Sequence, residues 1–408
     1  MTPTGQPNAA TFQPLEGVKV LDFSKVLAGP LCTQYLGDMG AEVIKIETTG
    51  GGDDTRGWPP FEDGVGAIFL SVNRNKRSLS LDLKSTKGLE ICKRLVEQAD
   101  VVVESFGPGV PARLGLDYES LKAINPRLVY CSLSGYGTQG PMKEGKGYDL
   151  ILQAFCGMIS ITGEEGGAPA RSPFSPVDQG TGLHAIIAIM GAIIQRGVTG
   201  EGMKLEASLF DTAVSFLSYF LQGFWQRGVE PLRVGSGHES LCPYQSFETK
   251  DKPLILGVAN DALWRTFCDL VGEPALASDP RFASSADRVS NRPVTVAEVQ
   301  RIMVTRTRVE WTLLFEDHGI PCSPVHNLGE LADHPHTEAS DMILGYQNQN
   351  GRDLKGVASP IRINGERPAL RRPPPSLGQH SVAILLELGY RAEEVAALVD
   401  GAVVYAGE

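Results

Sequence analysis

Asp178 is the residue around which chemistry can be organised. It stands in Pro173-Phe-Ser-Pro-Val-Asp-Gln-Gly-Thr-Gly182, a proline-bounded approach that passes through glycines into a long apolar segment. As a bare pattern this is a helix N-cap. The same placement also suits a nucleophile. A helix N-terminus keeps a carboxylate ionised, small neighbours leave room for a bulky electrophile, and a carboxylate can attack a thioester to give a covalent anhydride. A second polar cluster, Asn73-Arg-Asn-Lys-Arg77, places three cations directly before the apolar run at Leu79. It reads either as a solvated loop or as an anion site built on Lys76 and Arg77, since ligands gather at loop and strand ends of such sheets.

Other chemistries lack their residues. The first strand-to-helix turn, Ser24-Lys-Val-Leu-Ala-Gly-Pro30, has one glycine where a dinucleotide fingerprint needs three. Gly50-Gly-Gly52 leads into Asp53-Asp-Thr-Arg-Gly57, which reads as a loop, and no GxxxxGK[ST] is present. Ser132 and Ser134 lack the preceding glycine of a nucleophile elbow. The seven cysteines are scattered, odd in number and never in a CxxC pair, which suits a reducing, cytoplasmic setting. His334 and His336 flank Pro335 in a loop, no HExxH occurs, and no metal is expected.

The elements that must position these residues alternate between two periods. Strands are expected at Val18–Phe23, Glu42–Ile46, Leu79–Leu83, Val101–Val103 and Leu128–Leu133, with helices at Pro30–Met39 and Thr86–Gln98. Strands separated by helices predict an α/β fold with a doubly wound parallel sheet, Rossmann-like in architecture. Helices then follow at Gly180–Arg196 and Asp211–Arg227, and Gly235-Ser-Gly-His-Glu-Ser240 reads as a flexible loop. At 408 residues the chain is too long for one ordinary core. The reading is a large domain over 14–210, a linker helix over 211–234, a smaller α/β domain over 235–335, a return linker over 336–375, and C-terminal helices over 376–408 that pack on the large domain.

Composition adds bounds. A hydrophobic fraction of 42% with 21% charged residues is that of a soluble globular protein. The net charge of −11 argues against nucleic acid and anionic membranes as partners. The polar N-terminus, Met1 to Pro14, lacks the basic-then-apolar pattern of a signal peptide. The most apolar helical run, Ala185 to Ile194, is about half the ~20 residues that span a bilayer.

Taken along its whole length, the chain resembles the class III CoA-transferases, the family that includes formyl-CoA:oxalate CoA-transferase and α-methylacyl-CoA racemase. The resemblance rests on Leu15-Glu-Gly-Val-Lys-Val-Leu-Asp-Phe23 with Ala28-Gly-Pro30, Gly40-Ala-Glu-Val-Ile-Lys-Ile-Glu47, Asn73-Arg-Asn-Lys-Arg-Ser78 and Val103-Glu-Ser-Phe-Gly-Pro-Gly109. Ser134-Gly-Tyr-Gly137, Thr199-Gly-Glu-Gly202 and Gly319-Ile-Pro-Cys322 continue it in order. It implies that Asp178 is the catalytic nucleophile, attacking a donor acyl-CoA and then carrying CoA as an aspartyl thioester. It implies CoA contacts at Val26, Leu81, Phe106, Arg113, Lys146 and Leu209, with Arg113 and Lys146 at the nucleotide and phosphate end; Lys76, Arg77 and Ser105 are expected to contact CoA as well. Leu27, Tyr148, Arg171, Gly237 and His238 fall near the substrate. CoA is a co-substrate, no cofactor is implied, and the partners are acyl-CoA, a carboxylic acid and a second copy of the chain in an interlocked homodimer.

Departures from the family narrow the reading. Leu27, Thr48 and Ser105 stand where the formyl-CoA:oxalate enzyme has glutamine, arginine and asparagine, which makes oxalate a poor guess. The chain looks closer to the succinate–hydroxymethylglutarate type, implying a dicarboxylate, and Arg171 could pair with its distal carboxylate. The racemase branch has histidine before the aspartate of its Gly-His-Asp motif. Here the motif is Gly147-Tyr-Asp149, and a tyrosine with a usual pKa of about 10 is a poor base at neutral pH. A racemase and a non-catalytic CoA-binding paralogue are the alternatives.

Overall fold

The apolar runs Val-Leu-Asp-Phe, Val-Val-Val and Val-Tyr-Cys-Ser-Leu are buried on both faces, the mark of strands in a parallel sheet covered by helices on both sides. In a computed structural model describing residues 13–407 they form that sheet. The N-terminal stretch read for a leader lies largely outside these residues. Strands β1 (Lys19–Phe23), β2 (Glu42–Glu47), β3 (Lys76–Leu81), β4 (Val101–Glu104), β5 (Val129–Ser134) and β6 (Met203–Ser208) lie parallel in the order β3-β2-β1-β4-β5-β6. Strand β7 (Val404–Tyr405) pairs antiparallel with the outer edge of β3, Val404 opposite Leu81. The strand order reverses between β1 and β4, so the crevice beyond their C-terminal ends is where ligands of such sheets bind.

Successive residues of each strand feed opposite faces. On one side Leu21, Leu79, Leu81 and Val102 pack with Ile91 and Leu95 of α2 (Thr86–Val96). Ile384, Leu385, Val395 and Leu398 of the two C-terminal helices, Ser381–Glu387 and Ala392–Asp400, complete that layer. On the other side Val20, Val43, Val101 and Val129 pack with Cys32 and Leu36 of α1 (Ala28–Asp38). Ala185, Ile189 and Ala192 of a long helix, Pro176–Thr199, share that core. Each such aliphatic side chain taken from water contributes about 1.5–3 kcal/mol. The long helix has 24 residues, more than the run Ala185–Ile194 suggested, and by length and composition alone it could cross a bilayer. Its buried stripe faces α1, while Leu183, Ile187, Ile194 and Val198 are exposed.

The chain divides into two units. Among the described residues the first holds 13–156, 173–216 and 336–407. Residues 336–375, expected as a linker, thus belong with the sheet and carry an antiparallel hairpin, Ile343–Gln347 with Asp353–Val357. The second unit holds 157–172 and 217–335. Its three-stranded antiparallel sheet has Leu254–Gly257 between Tyr244–Phe247 and Cys322–Pro324. Trp264, Phe267, Phe282, Trp311 and Phe315 form its core. The helix expected over Asp211–Arg227 is two helices, Leu209–Phe216 and Ser218–Arg227, and the break coincides with the boundary between the units.

Candidate active site

The loop from β1 to α1 occupies the point where the strand order reverses. Three consecutive backbone donors in it are engaged by side chains. Ser24 N–H donates to Asp22 Oδ1 at 2.9 Å, Lys25 N–H to Ser105 Oγ at 3.0 Å, and Val26 N–H to Asp53 Oδ1 at 3.3 Å. Val26 has φ of +71°, a left-handed conformation that a β-branched residue adopts only under constraint, at about 1–3 kcal/mol. Gly29 makes the tight turn possible, since a Cβ there would lie 2.2 Å from that of Ser24. Val26, Leu27, Ser105 and Phe106 are all half-buried around this crevice, with Phe106 packed on Phe23. Ser105 acts on the loop through its hydroxyl, tying β4 to β1.

Below the loop lies a buried charge network. Lys45 donates to the Ser24 carbonyl at 2.9 Å and pairs with Asp53 at 3.0 Å. Lys76 pairs with Asp22 at 3.0 Å and donates to the Pro30 carbonyl and Asn73 Oδ1. Burial works against the Asp22 charge, but Lys76, Lys45 and the hydroxyls of Ser24 and Thr33 outweigh it and hold the carboxyl below its usual range. Burial likewise opposes the Asp53 charge, and Lys45 with the Thr55 N–H holds it low.

This network overturns the reading of 73–77 as an anion site. β3 begins at Lys76, three residues earlier than expected, so the cations lie in the strand and its approach. Arg74 pairs with Asp38, and Arg77 with Glu42 and Glu387. Lys76 is 0% exposed, and Leu81 is likewise sealed in the core beside β7. None of Lys76, Arg77 or Leu81 presents a side chain for CoA; Lys76 alone reaches toward the loop, through Asp22 and the Pro30 carbonyl.

Asp178 lies in the first turn of the long helix, here α4, on the side chain stripe that continues through Gly182, Ala185, Ile189 and Ala192. The N-cap is Ser175, with φ of +53°, and Asp178 is the third helical residue. The expected roles of the glycines also change. A Cβ on Gly182 would lie 2.6 Å from the Ala28 carbonyl, and one on Gly180 would lie 2.2 Å from the Phe216 ring. They allow close helix packing instead of clearing space for an electrophile. Because Asp178 and Gly182 are one turn apart, the contact with Ala28 turns Asp178 toward the start of α1, immediately after Val26 and Leu27.

The positive end of α4 serves a different carboxylate. Asp149 Oδ2 accepts from the N–H groups of Val177 at 2.8 Å and Asp178 at 3.1 Å, while its Oδ1 accepts from Gln153. Asp149 opens α3 (Asp149–Phe155), two residues after Gly147, which packs so close to Gly135 that a Cβ there would lie 2.5 Å from the Gly135 Cα. Burial, followed by the nearby Asp149 charge, pushes the Asp178 carboxyl up to about 7. The helix terminus therefore does not keep Asp178 fully ionised, as the local sequence suggested. Asp149, quoted only as part of a motif, is the residue sequence reasoning missed; its partners lie 28 and 29 positions away.

The remaining candidates divide between the units. Tyr148, the N-cap of α3, is 58% exposed. Lys146 is exposed in the loop before it, and Arg113 is exposed on the short helix Val110–Leu114. Leu209 is buried at the start of Leu209–Phe216. Arg171, Gly237 and His238 belong to the second unit. There the loop expected to be flexible is tied down: Arg292 donates to the carbonyls of His238, Glu239 and Leu241, and the His238 ring accepts from Ser240 N–H. Among the described residues no cluster of three His, Cys, Asp or Glu side chains is arranged for a metal ion.

The chain matches known proteins along most of its length. A family model described as CoA-transferase family III matches residues 15–381. An acyl-CoA transferase of Fusarium pseudograminearum is 41% identical over 94% of this chain and 86% of its own. The human succinyl-CoA:glutarate CoA-transferase is 36% identical over 98% and 92%. The crystal structure of a CaiB/BaiF family protein from Brucella suis superposes with a TM-score of 0.81 at 36% identity, covering 92% of this chain and 99% of that one.

Proposed function

Because the chain belongs to CoA-transferase family III, we propose that it moves CoA from a dicarboxylyl-CoA, succinyl-CoA first among them, to a second dicarboxylic acid, with Asp178 as the nucleophile. The observation that carries this reading is the placement of Asp178, on the face of α4 turned toward the β1–α1 loop where the strand order reverses. The Asp178 carboxylate attacks the thioester carbonyl, and CoA leaves as thiolate from a mixed aspartyl–acyl anhydride. The thiolate attacks the aspartyl carbonyl, releasing the donor acid and leaving an aspartyl-CoA thioester. The acceptor carboxylate attacks that thioester, again expelling thiolate, and thiolate attack on the acyl carbonyl of the new anhydride forms the product and restores Asp178. CoA is a co-substrate and is carried throughout.

A carboxyl raised to about 7 suits this role. It is more basic than an ordinary aspartate, hence a stronger nucleophile, yet substantially ionised at neutral pH. Val26, Leu27, Ser105 and Phe106 frame the thioester end, and exposed Arg113 and Lys146 are the cations proposed for the phosphates. The succinyl and glutaryl substrates named for the human relative support a dicarboxylate pair, with exposed Tyr148 proposed for the substrate side. A homodimer would bury the apolar row Leu183, Ile187, Ile194 and Val198.

The test is chemical trapping. Incubation with succinyl-CoA followed by borohydride should reduce the thioester and leave a primary alcohol in place of the Asp178 carboxyl, located by peptide mass spectrometry. An unmodified residue 178 in protein that is turning over would reject the mechanism. Glutarate, itaconate, mesaconate and malate as acceptors then rank the dicarboxylates. The pH dependence follows from the same carboxyl. kcat/KM for acyl-CoA should rise with pH through an apparent pKa of about 7, because the reactive form is ionised. Asp149→Asn removes the neighbouring negative charge and should move that midpoint downward; an unmoved midpoint would separate Asp149 from the titration.

A further inference from the structure

We propose that Asp53 is a positioning residue for acyl-CoA, holding the β1–α1 loop in the shape that receives the thioester; this role rests on the CoA-transfer reading above. Asp53 does not need to touch the substrate. Its Oδ1 accepts from Val26 N–H, from Thr55 N–H at 3.0 Å and from Thr55 Oγ at 2.8 Å. Its Oδ2 faces the Lys45 ammonium at 3.0 Å, with both side chains almost wholly buried. Lys45 in turn grips the carbonyl of Ser24. One ion pair therefore holds the loop twice, at the Ser24 carbonyl and at the Val26 N–H, on either side of Lys25. Ser105 holds the N–H between them.

The frame is itself fixed from behind. Asp53 N–H donates to Glu47 Oε1 at 3.1 Å, and Glu47 takes both Nε and Nη2 of Arg56 at 2.8 Å. Arg56 lies over the Phe69 ring and also donates to the Pro375 carbonyl. What this rigidity maintains is the left-handed Val26, a conformation with no local reason to persist in a β-branched residue.

A consequence for recognition follows. A glycine-rich nucleotide loop offers its N–H groups to phosphate. Here the N–H groups of residues 24, 25 and 26 are consumed by Asp22, Ser105 and Asp53. These three N–H groups are therefore closed to a ligand, and the loop's conformation governs how Val26 and Leu27 are presented.

The experiment is a double-mutant cycle on KM for succinyl-CoA, with kcat measured alongside. Asp53→Ala is expected to raise KM about tenfold, equivalent to about 1.4 kcal/mol, while Asp53→Asn, which keeps an acceptor for Val26, should raise it less. Glycine adopts positive φ freely. In a Val26→Gly background the Asp53→Ala effect should therefore shrink, whereas a merely structural role would leave it unchanged. Ser105→Ala, which frees only Lys25 N–H, is the gentler arm and should raise KM a few-fold; it decides the matter where Asp53→Ala does not fold. Parental KM in Ser105→Ala, or additivity between Asp53→Ala and Val26→Gly, would overturn the proposal. Failure to trap a thioester on Asp178 in the parent would sink the transfer reading instead, whatever the cycle gives.

Discussion

Asp178→Ala is expected to lower CoA exchange by a factor on the order of 10⁴, about 5.5 kcal/mol in activation free energy, while CoA binding is retained. Alanine cannot form the anhydride, so the covalent route closes entirely. The binding frame of Val26, Leu27, Ser105 and Phe106 does not depend on it. Isotope exchange between labelled succinate and succinyl-CoA measures the loss; exchange at the parental rate would remove Asp178 from the mechanism. The same variant should be more stable than the parent. A carboxyl raised from 3.8 to about 7 binds its proton more tightly folded than unfolded, so its contribution weakens as pH rises from about 4 through 7. At pH 8 the parent bears the full cost of a buried charge, up to about 4 kcal/mol. Unfolding midpoints should therefore favour the variant at pH 8 and converge with the parent near pH 4. A variant less stable at both values would mean that Asp178 stabilises the fold.

Lys76→Met is expected to cost about 3–5 kcal/mol of stability, the largest effect foreseen away from Asp178. Asp22 would keep its charge, sealed beneath the sheet, with only the hydroxyls of Ser24 and Thr33 and the more distant Lys45 to meet it. Lys76 itself is balanced finely: burial pulls its ammonium down to about 8 against the attraction of Asp22. Adding Asp22→Asn should recover part of the loss, because an amide in the same place keeps acceptors without an unpaired charge. Urea unfolding of the three proteins measures this. Equal midpoints for Lys76→Met and the parent would show that the pair contributes nothing net.

The sheet was legible because its signal is local. Val101-Val-Val103 and Val18 to Phe23 are short apolar runs between turn residues, and their alternation with helical periods specifies parallel winding. The first strand-to-helix turn was also legible as something other than a dinucleotide loop, from its single glycine. The site was harder to read, because its polar residues answer to partners far along the chain. Lys45 and Lys76 look like exposed charges until Asp22, Asp53 and the Pro30 carbonyl meet them. Asp178 resembles an N-cap because its own neighbourhood does not reveal that Asp149 already occupies the helix end. Gly180 and Gly182 suggest open space, since no sequence pattern discloses that Phe216 and Ala28 press against them. Whole-chain resemblance pointed to Asp178 as the proposed nucleophile without needing any of these contacts.

The pairing of β7 with the rim of β3 has a consequence for biosynthesis. Ser78 Oγ receives the Gly378 N–H from 300 residues further along, and Val404 closes on Leu81 later still. While the ribosome makes the intervening chain, the outer strand of the sheet stands with unpaired backbone groups and bare apolar side chains, a template for wrong partners. Non-local closure of this kind is slow. The crevice frame shares its members with that late contact, through Ser78, Glu47 and the Arg56–Pro375 bond. A nascent chain stalled before the C-terminal segment would hold Asp178 yet lack the Gly378 and Pro375 contacts that back the crevice frame.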